Sequence, residues 1–90
     1  MSAGMGWVQA ACLYFVREHG ADDAPPTTLD IAAYVYRVKP TKGGHIVISD
    51  ARHVAVKRAL ANLRRQGLVV SRPAGSGRAL RWTTPPDQAV

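Results

Sequence analysis

Residues 49–83 read SDARHVAVKRALANLRRQGLVVSRPAGSGRALRWT, and the first half of this stretch predicts a helix. Ser49 is a residue type that caps helix N-termini, and Asp50 places a negative charge in the first turn, where it suits the helix dipole. An apolar stripe follows at spacings of four and three residues, the period of one helical face: Val56, Leu60 and Leu63. Gly67 supplies a C-terminal stop. We therefore expect a helix over residues 50–66 with this stripe buried.

The second half of the stretch predicts a β-hairpin. Residues 68–70 (LVV) are β-prone, and residues 73–77 (PAGSG) then break the chain. The second extended run, residues 78–83, alternates basic or polar side chains with Leu80 and Trp82. Since those two side chains share one strand face, we expect them to pack on the core. The same alternation turns Arg81 outward.

A second helix-prone segment spans residues 5–19 and is closed by Gly20. Its predicted core stripe is Val8, Ala11, Cys12 and Phe15. Beside it lies a second stripe, Trp7, Ala11 and Tyr14, which makes the apolar face wide. Two interpretations fit this width. Trp7 and Tyr14 either complete the core of a small domain or form the contact surface of a homodimer.

A further helix follows a turn that contains two prolines, residues 21–26. Thr27 or Thr28 caps this helix, and Asp30, three residues after Thr27, gives a weak form of capping box. Its predicted buried stripe is Ile31, Ala32 and Val35.

Eleven residues, 38–48, join this helix to the one that begins at residue 50. Lys39, Lys42 and a Gly–Gly pair make the segment basic and flexible, whereas residues 45–48 (HIVI) are β-prone. Those four residues form either a short strand that pairs with the hairpin or part of a solvated loop.

The helix, its glycine exit and the arginine-flanked hairpin together resemble the recognition helix and wing of winged helix-turn-helix DNA-binding domains. The resemblance covers roughly residues 27–83 and rests on three features: the stripe at Val56, Leu60 and Leu63, the exit Gly67-Leu68-Val69, and the hairpin over 72–81. The segment 38–48 departs from the pattern, because such domains usually join their helices with about 3–4 residues.

The resemblance implies a mainly α fold with a small antiparallel β-sheet (α+β), built from three helices and a C-terminal β-hairpin wing. We expect a single domain over residues 1–84, with a flexible N-terminus at 1–5 and a flexible tail at 85–90. The resemblance to winged helix-turn-helix domains also implies double-stranded DNA as the partner. Helix 50–66 would enter the major groove, and the wing 72–81 would lie on the adjacent backbone or minor groove.

The charge distribution agrees with an anionic partner. Residues 1–36 carry one basic and four acidic side chains, a net charge of −3, whereas residues 37–90 carry eleven basic and two acidic side chains, a net charge of +9. Such asymmetry is typical of polyanion binding. The alternative is a surface that only keeps the protein dissolved.

Candidate DNA contacts follow from these placements. Arg52 and Arg58 are the candidates for base edges, since arginine can bond guanine bidentately. Small or apolar side chains, Val54 and Ala55 among them, permit close approach to the groove. The remaining candidates are polar or basic residues of the helix (His53, Lys57, Asn62), the wing (Arg72, Ser76, Arg78, Arg81) and the 38–48 segment (Lys39, Lys42).

Other activities find little support in the residues. No spaced pair of carboxylates suggests acid–base catalysis, so we predict no enzyme. Cysteine and histidine lack zinc-ligand spacing and no phosphate-binding loop occurs, so we predict no metal, cofactor or small-molecule ligand. No apolar run approaches the ~20 residues of a membrane span. The single cysteine, Cys12, suits a reducing compartment, and we expect a cytoplasmic, nucleoid-associated protein.

Three functions remain open. The first is a small sequence-specific transcriptional regulator. The second is a plasmid or phage DNA-transaction protein, acting in replication, partition or excision with the same module. The third is a winged-helix protein–protein module without DNA binding. The basic residues after position 36 argue against the third.

Overall fold

The computed structural model describes residues 6–75 and 79–85. The predicted flexible segment 1–5 and all of the predicted tail except Pro85 lie outside these residues, as do Ser76 and Arg78 of the hairpin tip. Three helices and an antiparallel pair of strands form an α+β fold, an order compatible with a winged-helix layout. The elements are α1 (Trp7–His19), α2 (Thr28–Tyr36), α3 (Asp50–Arg65), β1 (Val70–Pro73) and β2 (Leu80–Thr83).

The core confirms the predicted inner faces of α2 and α3. Both stripes are buried, and Val69 and Trp82 close the core from the side of the hairpin. The buried side chains of the two helices are Ile31, Ala32, Val35, Val56, Ala59, Leu60 and Leu63. Because these side chains come from segments far apart in the chain, the two helices and the hairpin depend on one another for burial.

The buried face of α1 is rotated about the helix axis relative to the predicted face. Cys12 is fully buried as expected, but the rest of the buried line is formed by Leu13 and Val16. The other predicted members, Val8, Ala11 and Phe15, are only partly buried against the core. Trp7 and Tyr14 are 64% and 57% exposed. The interpretation that Trp7 and Tyr14 complete the core is therefore wrong.

Local signals set the ends of the helices. Ser49 Oγ accepts a hydrogen bond from the Arg52 backbone amide at 3.3 Å, which confirms the predicted cap of α3. At α2 the capping box is complete: Thr27 Oγ1 accepts from the Asp30 amide at 3.2 Å, and Asp30 Oδ2 accepts from the Thr27 amide at 3.0 Å. Gly67, just beyond α3, has φ +79°, which favours glycine.

The hairpin pairs Val70 with Thr83 and Pro73 with Leu80 at its two ends. The first strand thus begins two residues later than the predicted run that opens at Leu68, and it includes Pro73, which we expected to break the chain. Val69, just before the strand, is fully buried.

Beside the two strands of the hairpin, Thr27 pairs with the second strand through an isolated bridge to Arg81. Beside it, the Trp82 backbone amide donates to the Pro26 carbonyl at 2.9 Å. Of the two alternatives for residues 45–48, the strand paired with the hairpin is therefore wrong, and the loop is what the structure shows. The 38–48 segment contains no strand and instead forms a turn at Thr41. The Thr41 amide donates to the His45 carbonyl, and the Gly44 amide donates to the Thr41 carbonyl. The segment cannot pair with the hairpin because the residues just before α2 already occupy that edge of the hairpin.

Within the described ranges, no helix combines the length and the apolar character that crossing a bilayer requires.

Candidate nucleic-acid interface

The outward face of α3 is the first part of the candidate interface. Because Val56, Leu60 and Leu63 are fully buried, the opposite side of the helix meets solvent. Val54 and Arg58, four residues apart, share this side and are exposed. Val54 is an apolar side chain that is 42% exposed. Ala51 and Arg65 are also exposed on this side, and Asp50 and Lys57 are exposed at its edge.

Arg52 and Arg58, the two candidate base contacts, lie on different sides of α3. Six positions separate them, which corresponds to about 120° around the helix axis. The Arg52 Cζ atom lies 5.0 Å from the centre of the Tyr36 ring, at the C-terminal end of α2. Such a cation–π contact holds an exposed side chain with about 0.5–1 kcal/mol. Arg58 is therefore the arginine that faces straight out from the helix.

The half-buried His53 lies on another side of α3, toward the hairpin. His53, together with the exposed Lys57, lines a groove of about 400 Å³ between the N-terminus of α2 and the hairpin, whose other walls include Leu29 and Leu80. The structure thus brings two predicted contacts beside the hairpin. Leu29 is 39% exposed and was not predicted as a site residue. Its position in the first turn after the Thr27 cap, outside the buried stripe of α2, could have indicated that its side chain is exposed beside the hairpin.

Two other predicted positions form hydrogen bonds within the molecule, and a third is half-buried. The Asn62 Oδ1 atom accepts a hydrogen bond from Arg65 Nη1 at 3.1 Å. Arg81 is only half-buried rather than turned outward, and its Nη1 atom donates to the Pro25 carbonyl. Ala55 is half-buried on the flank of the helix. The prediction of an outward Arg81 is therefore corrected: its charge is drawn to a backbone carbonyl in the turn before α2.

Arg64 also has partners within the molecule. Its Nη1 atom donates to Ser71 Oγ at 3.0 Å, and its Cζ atom lies 5.7 Å from the centre of the Trp82 ring. This side chain links the last turn of α3 to β1 and so supports the hairpin.

The hairpin exposes Arg72, whose register partner is Arg81. Directly opposed like charges destabilise a strand pair. Here the bond from Arg81 to Pro25 draws one guanidinium toward the α1–α2 turn, which leaves Arg72 as the free cation of this pair. Gly75, the last described residue before the tip, has φ +109°, a conformation that only glycine adopts readily.

The 38–48 segment places its two lysines at exposed positions. Lys39 lines a groove with Trp7, Ala11 and Tyr34, on the α1–α2 side of the molecule. Lys39 therefore lies away from the outward face of α3. Lys42 occupies the exposed turn that follows.

The basic residues are not neutralised within the fold. Across residues 6–75 and 79–85, the one side-chain ion pair joins His19 Nδ1 to Asp22 Oδ2 at 3.1 Å, and no lysine or arginine there takes part in a salt bridge. The positive charge of α3 and its surroundings is thus available to an external anion.

Comparison with known proteins gives no match: no protein-family model, curated protein or solved structure is similar enough to assign the chain to a family.

Proposed function

We propose that this protein binds double-stranded DNA as a winged-helix module. Arg58 and Val54, projecting together from α3 opposite its buried stripe, are the observation that carries the proposal. An α-helix with its side chains fits the major groove, which is about 12 Å wide. In that placement Arg58 reads a guanine edge and Val54 contacts a thymine methyl group.

The hairpin supplies the second contact of the proposed complex. Arg64 contacts Ser71 and Trp82 and so supports the hairpin against the end of α3. The exposed Arg72 of the first strand is the side chain that we propose for the adjacent backbone or minor groove. Lys57 and His53, in the groove between α3 and the hairpin, are placed for phosphates between the two contacts. Phosphate contacts orient the protein, whereas base contacts select the sequence.

The role we propose is that of a small sequence-specific transcriptional regulator in the cytoplasm, associated with the nucleoid. Selection of bound fragments from random and genomic DNA, at controlled salt, tests it. A defined motif upstream of genes supports regulation. A motif confined to a replication origin or an integration site supports a DNA-transaction role instead.

Salt dependence tests the DNA proposal as a whole. If about four phosphates are neutralised, affinity falls about 100-fold between low and physiological salt. The measurement is fluorescence anisotropy on a selected duplex and a random duplex, with heparin as a control polyanion. Equal affinity for the duplexes and heparin, or a flat salt response, would refute specific DNA binding.

A further inference from the structure

The exposed side of α1 carries aromatic residues that the fold does not use for its core. Trp7 contacts Tyr36 edge-on, with ring centres 5.7 Å apart and planes at 84°. Tyr14 stacks on Tyr34 at 6.4 Å and 22°. Both contacts fix the rings while leaving Trp7 64% and Tyr14 57% exposed. Large aromatic side chains held in place but exposed are typical of an interaction surface.

The spacing along this side of α1 is symmetric. The residues at positions 7, 11, 14 and 18 follow one another at intervals of four, three and four, so they form one stripe of the helix. The stripe reads Trp7, Ala11, Tyr14 and Glu18, and its midpoint lies between residues 12 and 13. A two-fold axis through that midpoint places Tyr14 opposite Ala11 of another copy, and Trp7 opposite Glu18. A large ring then meets a small side chain at the centre.

The charges agree with the same arrangement. The groove that Trp7 and Ala11 line is edged by Arg37 and Lys39, and neither of these cations takes part in a salt bridge within the described residues. Glu18 also lacks an ion-pair partner there. The two-fold arrangement carries Glu18 of each copy to Trp7 of the other, beside this basic edge. Each contact is made twice, as an isologous interface requires.

We propose that two copies of this chain pair through antiparallel α1 helices, with Tyr14 on Ala11 and Glu18 beside Lys39 across the axis. The 13-residue helix is about 20 Å long. Because one helix of this length contributes little surface, we expect a weak dimer whose interface falls at the small end of the range for specific complexes. The pairing does not rest on DNA binding, because Val54 and Arg58 are not part of it.

Sedimentation equilibrium of the full chain without DNA tests the proposal. We expect the mass to rise from 9.7 kDa toward twice that value as concentration increases. Tyr14→Glu should raise the dissociation constant at least tenfold, because it replaces the central aromatic ring with a carboxylate set against the apolar Ala11 of the other copy. Val47→Glu is the matched control, since Val47 is an apolar side chain 69% exposed outside this surface, and it should leave the mass unchanged.

A charge exchange tests the partner and the register. Glu18→Lys and Lys39→Glu should each weaken pairing, and the double variant should restore it. A cysteine scan gives an independent reading: Ala11→Cys should form a disulfide across the axis. Glu18→Cys should not, because its two copies lie about 16 Å apart along the helices. Cys12 is buried and does not compete.

Two results overturn the proposal. One is a monomer at every concentration with Tyr14→Glu indistinguishable from the parent, which would leave this face to a different partner. The other is a dimer that Glu18→Cys cross-links and the charge exchange does not restore, which would place the interface elsewhere. Thermal unfolding followed by circular dichroism verifies that each variant keeps its fold.

Discussion

The indole Nε1 of Trp82 donates a hydrogen bond to Thr28 Oγ1 at 2.9 Å, and this bond joins the last strand to the first turn of α2. The Trp82 ring is 4% exposed and lies under the Arg64 guanidinium. Together with the hydrogen bond from the Trp82 backbone amide to the Pro26 carbonyl, the indole hydrogen bond fixes the hairpin against the start of α2. The position of Arg72 relative to α3 follows from this anchor.

Replacing Trp82 should loosen the hairpin more than any exposed change does. Trp82→Phe should lower the free energy of unfolding by about 1–3 kcal/mol, because the Thr28 hydroxyl loses its donor. Trp82→Ala should remove about 3–5 kcal/mol through the lost apolar burial. Urea denaturation measures both. A double-mutant cycle of Trp82→Phe with Thr28→Ala provides the control, and strictly additive effects would contradict a direct bond.

Arg58→Ala should weaken binding to a selected duplex by about 1–3 kcal/mol and relax its sequence preference. The reason is that Arg58 faces outward with no salt-bridge partner among the described residues. Competition titration against random duplex measures both quantities. Arg17→Ala is the matched control, since Arg17 is an exposed arginine of α1 that the proposed interface does not include, and it should change the preference little. Equal losses on selected and random duplex would rule out a base contact by Arg58.

Gly20→Ala should destabilise the fold by overpacking. A Cβ atom at this position would lie 2.5 Å from the Val16 carbonyl oxygen and 3.1 Å from Thr83 Cα. Its φ of −66° suits any residue, so the expected loss of about 1–3 kcal/mol is steric. Thermal or urea unfolding gives the value.

Gly67 offers the contrasting case. A Cβ atom there would meet nothing within 4 Å, but φ is +79°, so Gly67→Ala should cost about 1–2 kcal/mol through backbone conformation alone. Asparagine tolerates this region, so Gly67→Asn should recover part of the loss, whereas Gly20→Asn should not. Recovery at both positions would contradict the steric explanation for Gly20.

Stability should fall at alkaline pH because of Cys12. Burial raises the pKa of its thiol from 9.0 to about 12. Above pH 9 the unfolded chain loses the thiol proton while the folded chain keeps it, so the folded state binds more protons and stability falls as pH rises. Between pH 9 and 12, the free energy of unfolding of the parent protein should fall relative to that of Cys12→Ala by up to about 1.4 kcal/mol per pH unit. Parallel plots of unfolding free energy against pH for the parent and for Cys12→Ala would contradict this, because they would show that the thiol ionises equally in the folded and unfolded states.

The elements of this protein could be predicted because their signals are local. The Ser49 cap, the buried stripe beginning at Val56 and the Gly67 exit lie within one segment, and each acts through bonds or spacings of a few residues. The capping box of Thr27 and Asp30 is equally local. The alternation of Leu80 and Trp82 identified the face that packs inward, and Trp82 is indeed buried.

Placement of the candidate site residues could not be predicted in the same way. Arg52 meets Tyr36 and Arg81 meets Pro25, contacts between segments that periodicity within one element does not relate. The rotation of α1, which buries Val16 and exposes Tyr14, depends on how the other elements fill the core.

Sequence alone thus determined the three helices and the approximate place of the hairpin, since capping, periodicity and turn chemistry act between neighbours in the chain. Only the tertiary structure decided that Thr27 completes the hairpin edge, that Arg58 projects while Arg81 is bonded, and that Trp7 remains exposed. Those outcomes depend on which distant surfaces compete for the same space, and packing resolves that competition only when the whole chain is folded.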